Sequence, residues 1–340
     1  MSEKKIRLAH GSGGTLMHEL IGDLIVGRLG NPALDALDDA AEIADLGGHA
    51  IEGGRLAFTT DSFVVQPLFF PGGDIGTLAV AGTVNDLAMK GATPLYLTLG
   101  LVLEEGVEMP ELERVLDSIA ATAKGAGVEI AAGDTKVVER GAVGGMIVNT
   151  AGIGFIPDGV NISGARAADG DVVIISGTIG DHETSILVAR EELKLDTPIE
   201  SDCACLGGLV RDVLDAYADV HVLRDPTRGG LGTTLNEIAS RAGVGITIRE
   251  DDIPMCREVR SVCDILGFDP LYMANEGKAI VVTPAESADA VLAALRANPL
   301  GRDAAVIGEV GGDPGVRLRT SVGGLRPILM LEGVQLPRIC

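Results

Sequence analysis

Apolar residues recur along this chain at two spacings, and the alternation between them lays out its elements. Period-two runs at 56–60, 95–103, 128–132 and 144–155 predict strands. Between them, 77–90 predicts a helix closed by Gly91. A further helix at 109–124 carries Leu112, Val115, Leu116 and Ile119 on one face. A second alternation begins with the apolar run 171–175. It predicts helices at 206–217, 232–242, 257–266 and 287–297, with strands at 244–248, 279–283 and 304–310. The Gly-, Asp-, Asn- and Pro-containing stretch 157–170 is the best boundary between the two. The expected organisation is an arm (1–50), two α/β or α+β domains (51–160 and 161–330) and a tail (331–340) whose end Pro337 keeps extended.

Composition narrows the function more than the fold. A net charge of −22 opposes general nucleic-acid binding, because the field repels phosphate. No apolar run approaches the ~18 residues of a membrane span, and MSEKKIRLAH leads into no secretory segment. The expectation is a soluble, cytoplasmic protein. Five cysteines are present. Cys203 and Cys205 lack the paired spacing of a zinc site, and Cys256 and Cys263 fall in a predicted helix. Cys340 ends the chain, where a thiol is reachable, useless for packing and open to oxidation.

The common catalytic signatures are missing: there is no P-loop, dinucleotide fingerprint, H-E-x-x-H or G-x-S-x-G. What remains is a series of carboxylates expected at element ends. They lie in Asp38-Asp39-Ala40-Ala41, Thr59-Thr60-Asp61-Ser62, Val84-Asn85-Asp86-Leu87, Gly133-Asp134-Thr135-Lys136 and Asp225-Pro226-Thr227-Arg228. Any one of these could be a turn or helix cap, but Asp86 sits inside an apolar helix, where no cap is needed. Hard oxygens from several segments suit Mg²⁺ bridging a nucleotide's phosphates, with Lys136 and Arg228 available to neutralise phosphate. His10-Gly11-Ser12-Gly13-Gly14 could cradle phosphate on backbone N–H groups. Glu276, in Asn275-Glu276-Gly277-Lys278, could be a base or part of an ordinary turn. His18 and His182 read as structural.

In order along the chain, these pieces resemble the hydrogenase maturation carbamoyl dehydratases, the HypE family of the PurM-like ATP-binding superfamily. HGSGG, DDAA, TTDS, VNDLAMKGATP, GDTKVVE, DPTRGGL and ANEGK match in order, and the terminal PRIC at 337–340 is the family-specific element. The resemblance implies a two-domain PurM-like fold whose N-terminal domains pair into a β-barrel across a homodimer. It implies that Asp39, Asp86 and Asp225 hold Mg²⁺. It also implies that Asp61, Asn85, Gly133, Asp134, Thr135 and Thr227 join them in binding ATP.

The implied chemistry is a carbamoyl group placed on Cys340 by the carbamoyltransferase HypF and dehydrated with ATP to a protein thiocyanate. The cyano group then passes to iron on a HypC–HypD complex, for a nickel–iron hydrogenase. Glu276 and Lys136 would serve the proton removal, with Gly277 letting the backbone approach the tail. The competing readings are a selenophosphate synthetase or small-molecule kinase of the same superfamily, and a non-catalytic thiol carrier.

Overall fold

The computed structural model of the protein describes residues 5–46, 50–190 and 197–333. The expectations for Cys340 and for most of the tail therefore lie outside the described residues. The arm enters as a short helix, α1 (Thr15–Glu19), continued by a π-helical stretch at Leu20–Val26 and by α2 (Gly27–Leu29).

The first sheet contains β1 (Ala41–Ile43), β2 (Gly54–Phe63), β5 (Thr93–Glu104), β6 (Glu129–Val138) and β7 (Met146–Pro157), with a two-residue pair, β3 (Phe69–Phe70) and β4 (Gly73–Asp74), beside it. Its order is β1-β2-β7-β5-β6, antiparallel except between β5 and β6. Helices α3 (Ile75–Met89) and α4 (Met109–Ala126) cover one face. Asp74 caps α3 by accepting from the backbone of Gly76 and Thr77. The helix ends at Gly91, whose φ of +70° suits glycine.

The second sheet runs β14-β13-β10-β12-β8-β11-β9. Its members are β8 (Asp171–Ile175), β9 (Val222–Arg224), β10 (Gly245–Arg249), β11 (Ile280–Pro284), β12 (Ala305–Val310), β13 (Gly315–Arg319) and β14 (Leu325–Ile328). Val173, Ile175, Ile280 and Val282 pack beneath α7 (Gly230–Ala242), while Ile174 and Val281 pack beneath α6 (Gly207–Ala216) and α9 (Ala288–Ala297). Burial on both faces is why these two strands read as continuous apolar runs. Helices α5 (Asp181–Ala189) and α8 (Arg257–Leu266) form a smaller cluster around Val259, Val262 and Met273.

Helix α3 joins the two halves. Ile75, Leu78 and Val84 belong to the first core, whereas Ala88 and Met89 belong to the core under α6 and α9. A helix apolar all round is one buried all round. Its one intrusive carboxylate, Asp86, thereby lies where the halves meet.

Two expectations need correction. Asp61 and Asp134 are not at strand ends: TTDS lies inside β2, and GDTK lies inside β6, which runs six residues beyond the predicted strand. Strands β9, β13 and β14 and helix α5 had no clear periodic signal, being three to five residues long or, for α5, only nine. Among the described residues no helix is long and apolar enough to cross a membrane.

Candidate active site

Asp86 faces β2, where its Oδ2 accepts a 2.8 Å hydrogen bond from the Thr59 hydroxyl. The same hydroxyl lies 3.1 Å from the carbonyl of Asp39, so one threonine ties both acidic segments together. Asp61 follows Thr59 by two residues and shares its face of the strand. Asp225, buried, leaves β9 in the turn that Thr227 closes with a 3.0 Å bond from its N–H to the Asp225 carbonyl.

These carboxyls interact strongly. Burial, then repulsion from Asp225, Asp39 and Asp61, pushes Asp86 well above the usual range. Burial likewise raises Asp39 to about 8 and Asp225 to about 6, against the pull of Arg224. Asp61 is raised by burial with Arg228 opposing, its guanidinium 3.7 Å away. Too much negative charge is gathered here for its local cations.

Neighbouring Asp38 and Asp39 divide their roles. Both oxygens of Asp38 are occupied, Oδ2 by Lys90 at 2.9 Å and Ser163 at 3.1 Å, and Oδ1 by Arg241 at 2.9 Å. Those attractions hold its carboxyl low despite burial. Asp39 Oδ1 lies 2.7 Å from Arg224 Nε without hydrogen-bond alignment, and its buried Oδ2 has no partner. An orphaned carboxylate oxygen beside Asp86 and Asp225 is a donor set that fits a hard cation. Among the described residues no three acidic, His or Cys side chains form a closed cage. A cation here would complete its shell with water and phosphate, as Mg²⁺ does.

Glu276 stands across the cleft, with its backbone held on both sides. Its N–H donates to Asp202 Oδ1 at 3.1 Å, and its carbonyl accepts from Ala204 N at 3.4 Å and Asn85 Nδ2 at 3.4 Å. Asn85 also bonds the Ala204 carbonyl and the Leu206 N–H, so both ends of its amide serve as an inter-domain clasp. A Cβ on Gly277 would overlap the Asp202 carbonyl: this glycine admits the Asp202 loop, where the sequence suggested room for the tail. Burial, then Asp225, Asp202 and Asp61, raise the Glu276 carboxyl well above its usual value.

Sequence reasoning missed Asp202, Arg224 and Glu237. Arg224 bridges Asp39 and Glu237, and Glu237 meets His18 of the arm at 3.1 Å. Position beside Asp225 was the only available signal for Arg224, and Asp202 and Glu237 had none.

Gly133, Asp134, Thr135 and Lys136 are not brought to this cleft within one chain. The register Ser62↔Asn149↔Gly100↔Asp134 puts Asp134 three strands from β2, roughly 14 Å at the usual strand spacing. It also puts Asp134 and Lys136 on the face opposite Asp61, in an exposed edge strand. The four described cysteines are free, and burial raises their thiols, Cys205 to about 11, so none is an activated nucleophile.

Two domains joined by an acidic cleft in this way define a class. Residues 37–156 match the N-terminal domain, and 168–321 the C-terminal domain, of the AIR synthase related proteins. The carbamoyl dehydratase HypE of Rhizobium leguminosarum bv. viciae is 51% identical over 99% of this chain and 95% of its own. The crystal structure of a HypE–HypF complex contains a chain 46% identical, with a TM-score of 0.86 over 92% of this chain and 99% of that one. A hydrogenase maturation protein HypE solved in complex with ATP is 49% identical, with a TM-score of 0.79 over 99% of this chain and all of that one. The chain belongs to the HypE family of carbamoyl dehydratases, enzymes of hydrogenase maturation.

Proposed function

We propose that the protein uses ATP to dehydrate an S-carbamoyl group on its own Cys340 to a thiocyanate. The observation that carries this reading is the under-neutralised cleft of Asp39, Asp61, Asp86 and Asp225 facing the pinned Glu276. A relative is solved with ATP, and one forms a complex with HypF. Asp39, Asp86 and Asp225 would hold Mg²⁺, which supplies positive charge against the nucleotide's phosphates. Asp61, Thr227 and Arg228 line the same mouth, and Asn85 shapes it as the clasp to the Ala204 loop.

HypF would load Cys340 with the carbamoyl group. Its oxygen takes the γ-phosphoryl group of ATP, releasing ADP and one N–H proton. The C–O bond then breaks to release phosphate as the second N–H proton leaves, giving S–C≡N. An amide oxygen departs poorly until phosphorylated, and phosphorylation also makes the remaining N–H acidic enough for a carboxylate. Glu276 takes that proton as a positioned general base, a role worth about 10²–10⁴ in rate. A HypC–HypD iron complex would receive the cyano group. ATP supply places this work in the cytoplasm, on a chain divided into arm (1–50), two domains (51–160, 161–330) and tail (331–340).

A homodimer belongs to this reading. Phe58, Ile153 and Tyr96 are register neighbours, exposed on the face of the first sheet that no helix covers, and β6 is a long bare edge. Such a face and edge invite pairing, here into a β-barrel across a two-fold. Pairing would carry Gly133, Asp134, Thr135 and Lys136 to the partner's cleft, reuniting a Lys136 with a Glu276.

Intact-protein mass spectrometry after incubation with carbamoyl phosphate, HypF and ATP tests the chemistry. We expect a carbamoyl adduct on the C-terminal peptide that then loses water. Cys340→Ala accepts no adduct, and Glu276→Gln accumulates the carbamoyl form. Dehydration by Glu276→Gln at the wild-type rate would remove Glu276 from the base role, and an adduct on Cys340→Ala would refute self-modification.

A further inference from the structure

The glycine-rich run of the arm does something other than wait for phosphate. Thr15 N–H donates to the carbonyl of Leu331 at 2.7 Å, and the Ser12 hydroxyl lies 3.4 Å from the carbonyl of Gly333. A Cβ on Gly14 would overlap the Leu331 carbonyl, so only glycine lets the two strands of backbone come this close. Gly13, at φ +80°, lies against the backbone of Arg228 and Gly229 in the turn that follows Asp225. The loop is thus wedged between the acidic cleft and the chain leading to the C-terminus. Two further bonds hold that chain: Tyr272 Oη donates to the Leu329 carbonyl at 2.7 Å, and Asn236 Nδ2 to the Ile328 carbonyl at 3.1 Å.

We propose that residues 12–15 clamp the root of the C-terminal segment at the cleft, so that the thiol-bearing end starts from a fixed point. This rests on Cys340 being the substrate carrier. Cys340 is the seventh residue after Gly333, a reach of at most ~25 Å. Fixing the root keeps Cys340 within that radius of Gly333, beside the turn that follows Asp225, and raises its effective concentration at the cleft. Ser12, Gly14 and Thr15 are positioning residues: they touch the carrier segment and not the reacting atoms.

Thr15→Pro isolates the clamp. Thr15 is the first residue of α1, where proline is well tolerated, and Gly14 at φ −93°, ψ −169° already has the extended backbone that precedes proline. The substitution removes one N–H and little else. Thr15→Ala keeps the N–H and serves as its control, and Gly14→Ala opens the same contact sterically should Thr15→Pro fail to fold.

Hydrogen exchange of peptides covering 326–333, ATP affinity and single-turnover water loss from the carbamoylated protein are measured together. The loss of one such hydrogen bond is expected to speed exchange and slow water loss by about five- to tenfold, with ATP affinity unchanged and Thr15→Ala like wild type. Unchanged exchange, or a wild-type rate despite a loosened root, overturns the clamp. Lost ATP affinity in Thr15→Pro also overturns it, making the run a nucleotide loop. Failure of wild-type carbamoylated protein to lose water would instead sink the self-substrate reading, and the exchange data would still judge the clamp.

Discussion

Asp86 is placed for a ligand and against stability. Burial and the neighbouring Asp225 and Asp39 oppose its charge, and a single hydroxyl hydrogen bond from Thr59 supports it. Replacing it by Asn keeps the shape and relieves the repulsion. Asp86→Asn is therefore expected to melt at or above the wild-type temperature without Mg²⁺, yet to bind Mg-ATP roughly tenfold or more weakly. Calorimetry with and without Mg-ATP checks both, and a variant that unfolds would recast Asp86 as a structural group. Asp38, by contrast, is committed to Lys90, Ser163 and Arg241, a choice that two adjacent aspartates in a sequence cannot reveal.

At the scale of elements, the long periodic segments were legible and the short ones were not. Helices α4 and α8 carry their own period and end on glycine, and α3 is a long apolar run capped by Asp74, whereas the shorter α5 has little amphipathic signal because tertiary neighbours surround it. His182 on α5 is one such buried group, edge-on to Phe70 with ring centroids 5.6 Å apart and bonded through Nδ1 to the Ser201 hydroxyl at 2.8 Å. Burial lowers its pKa to about 4. The folded protein therefore keeps His182 neutral while the unfolded chain, titrating near 6.5, takes up a proton. This difference costs nothing above pH ~6.5 and grows to a few kcal/mol as pH falls toward 4. Urea midpoints against pH should fall less steeply over this window in His182→Gln than in wild type. Parallel slopes would mean that His182 does not govern this limb.

At the scale of the whole molecule, the separation of Lys136 from Glu276 makes the dimer testable through function. Lys136→Ala and Glu276→Gln are each expected to be inactive. If the two residues meet across a two-fold, mixing the variants restores one site in each heterodimer, about a quarter of wild-type sites for random pairing. If they act within one chain, mixing restores nothing. Ile153→Asp, a charge placed in the exposed row with Phe58 and Tyr96, should shift sedimentation toward monomer and abolish the rescue.

The sequence alone determined the long strands and helices of both halves, and its ordered acidic motifs pointed to a family that the comparisons bear out. These are local matters of period, turn chemistry and motif order. Only the tertiary structure decided that Asp39 keeps a free oxygen while Asp38 does not. It alone put Asn85, Asp202 and Gly277 to work holding Glu276, and turned Asp134 and Lys136 away from Asp61. Those outcomes depend on register and on contacts between residues 50 to 200 positions apart. No window of neighbouring residues contains that information.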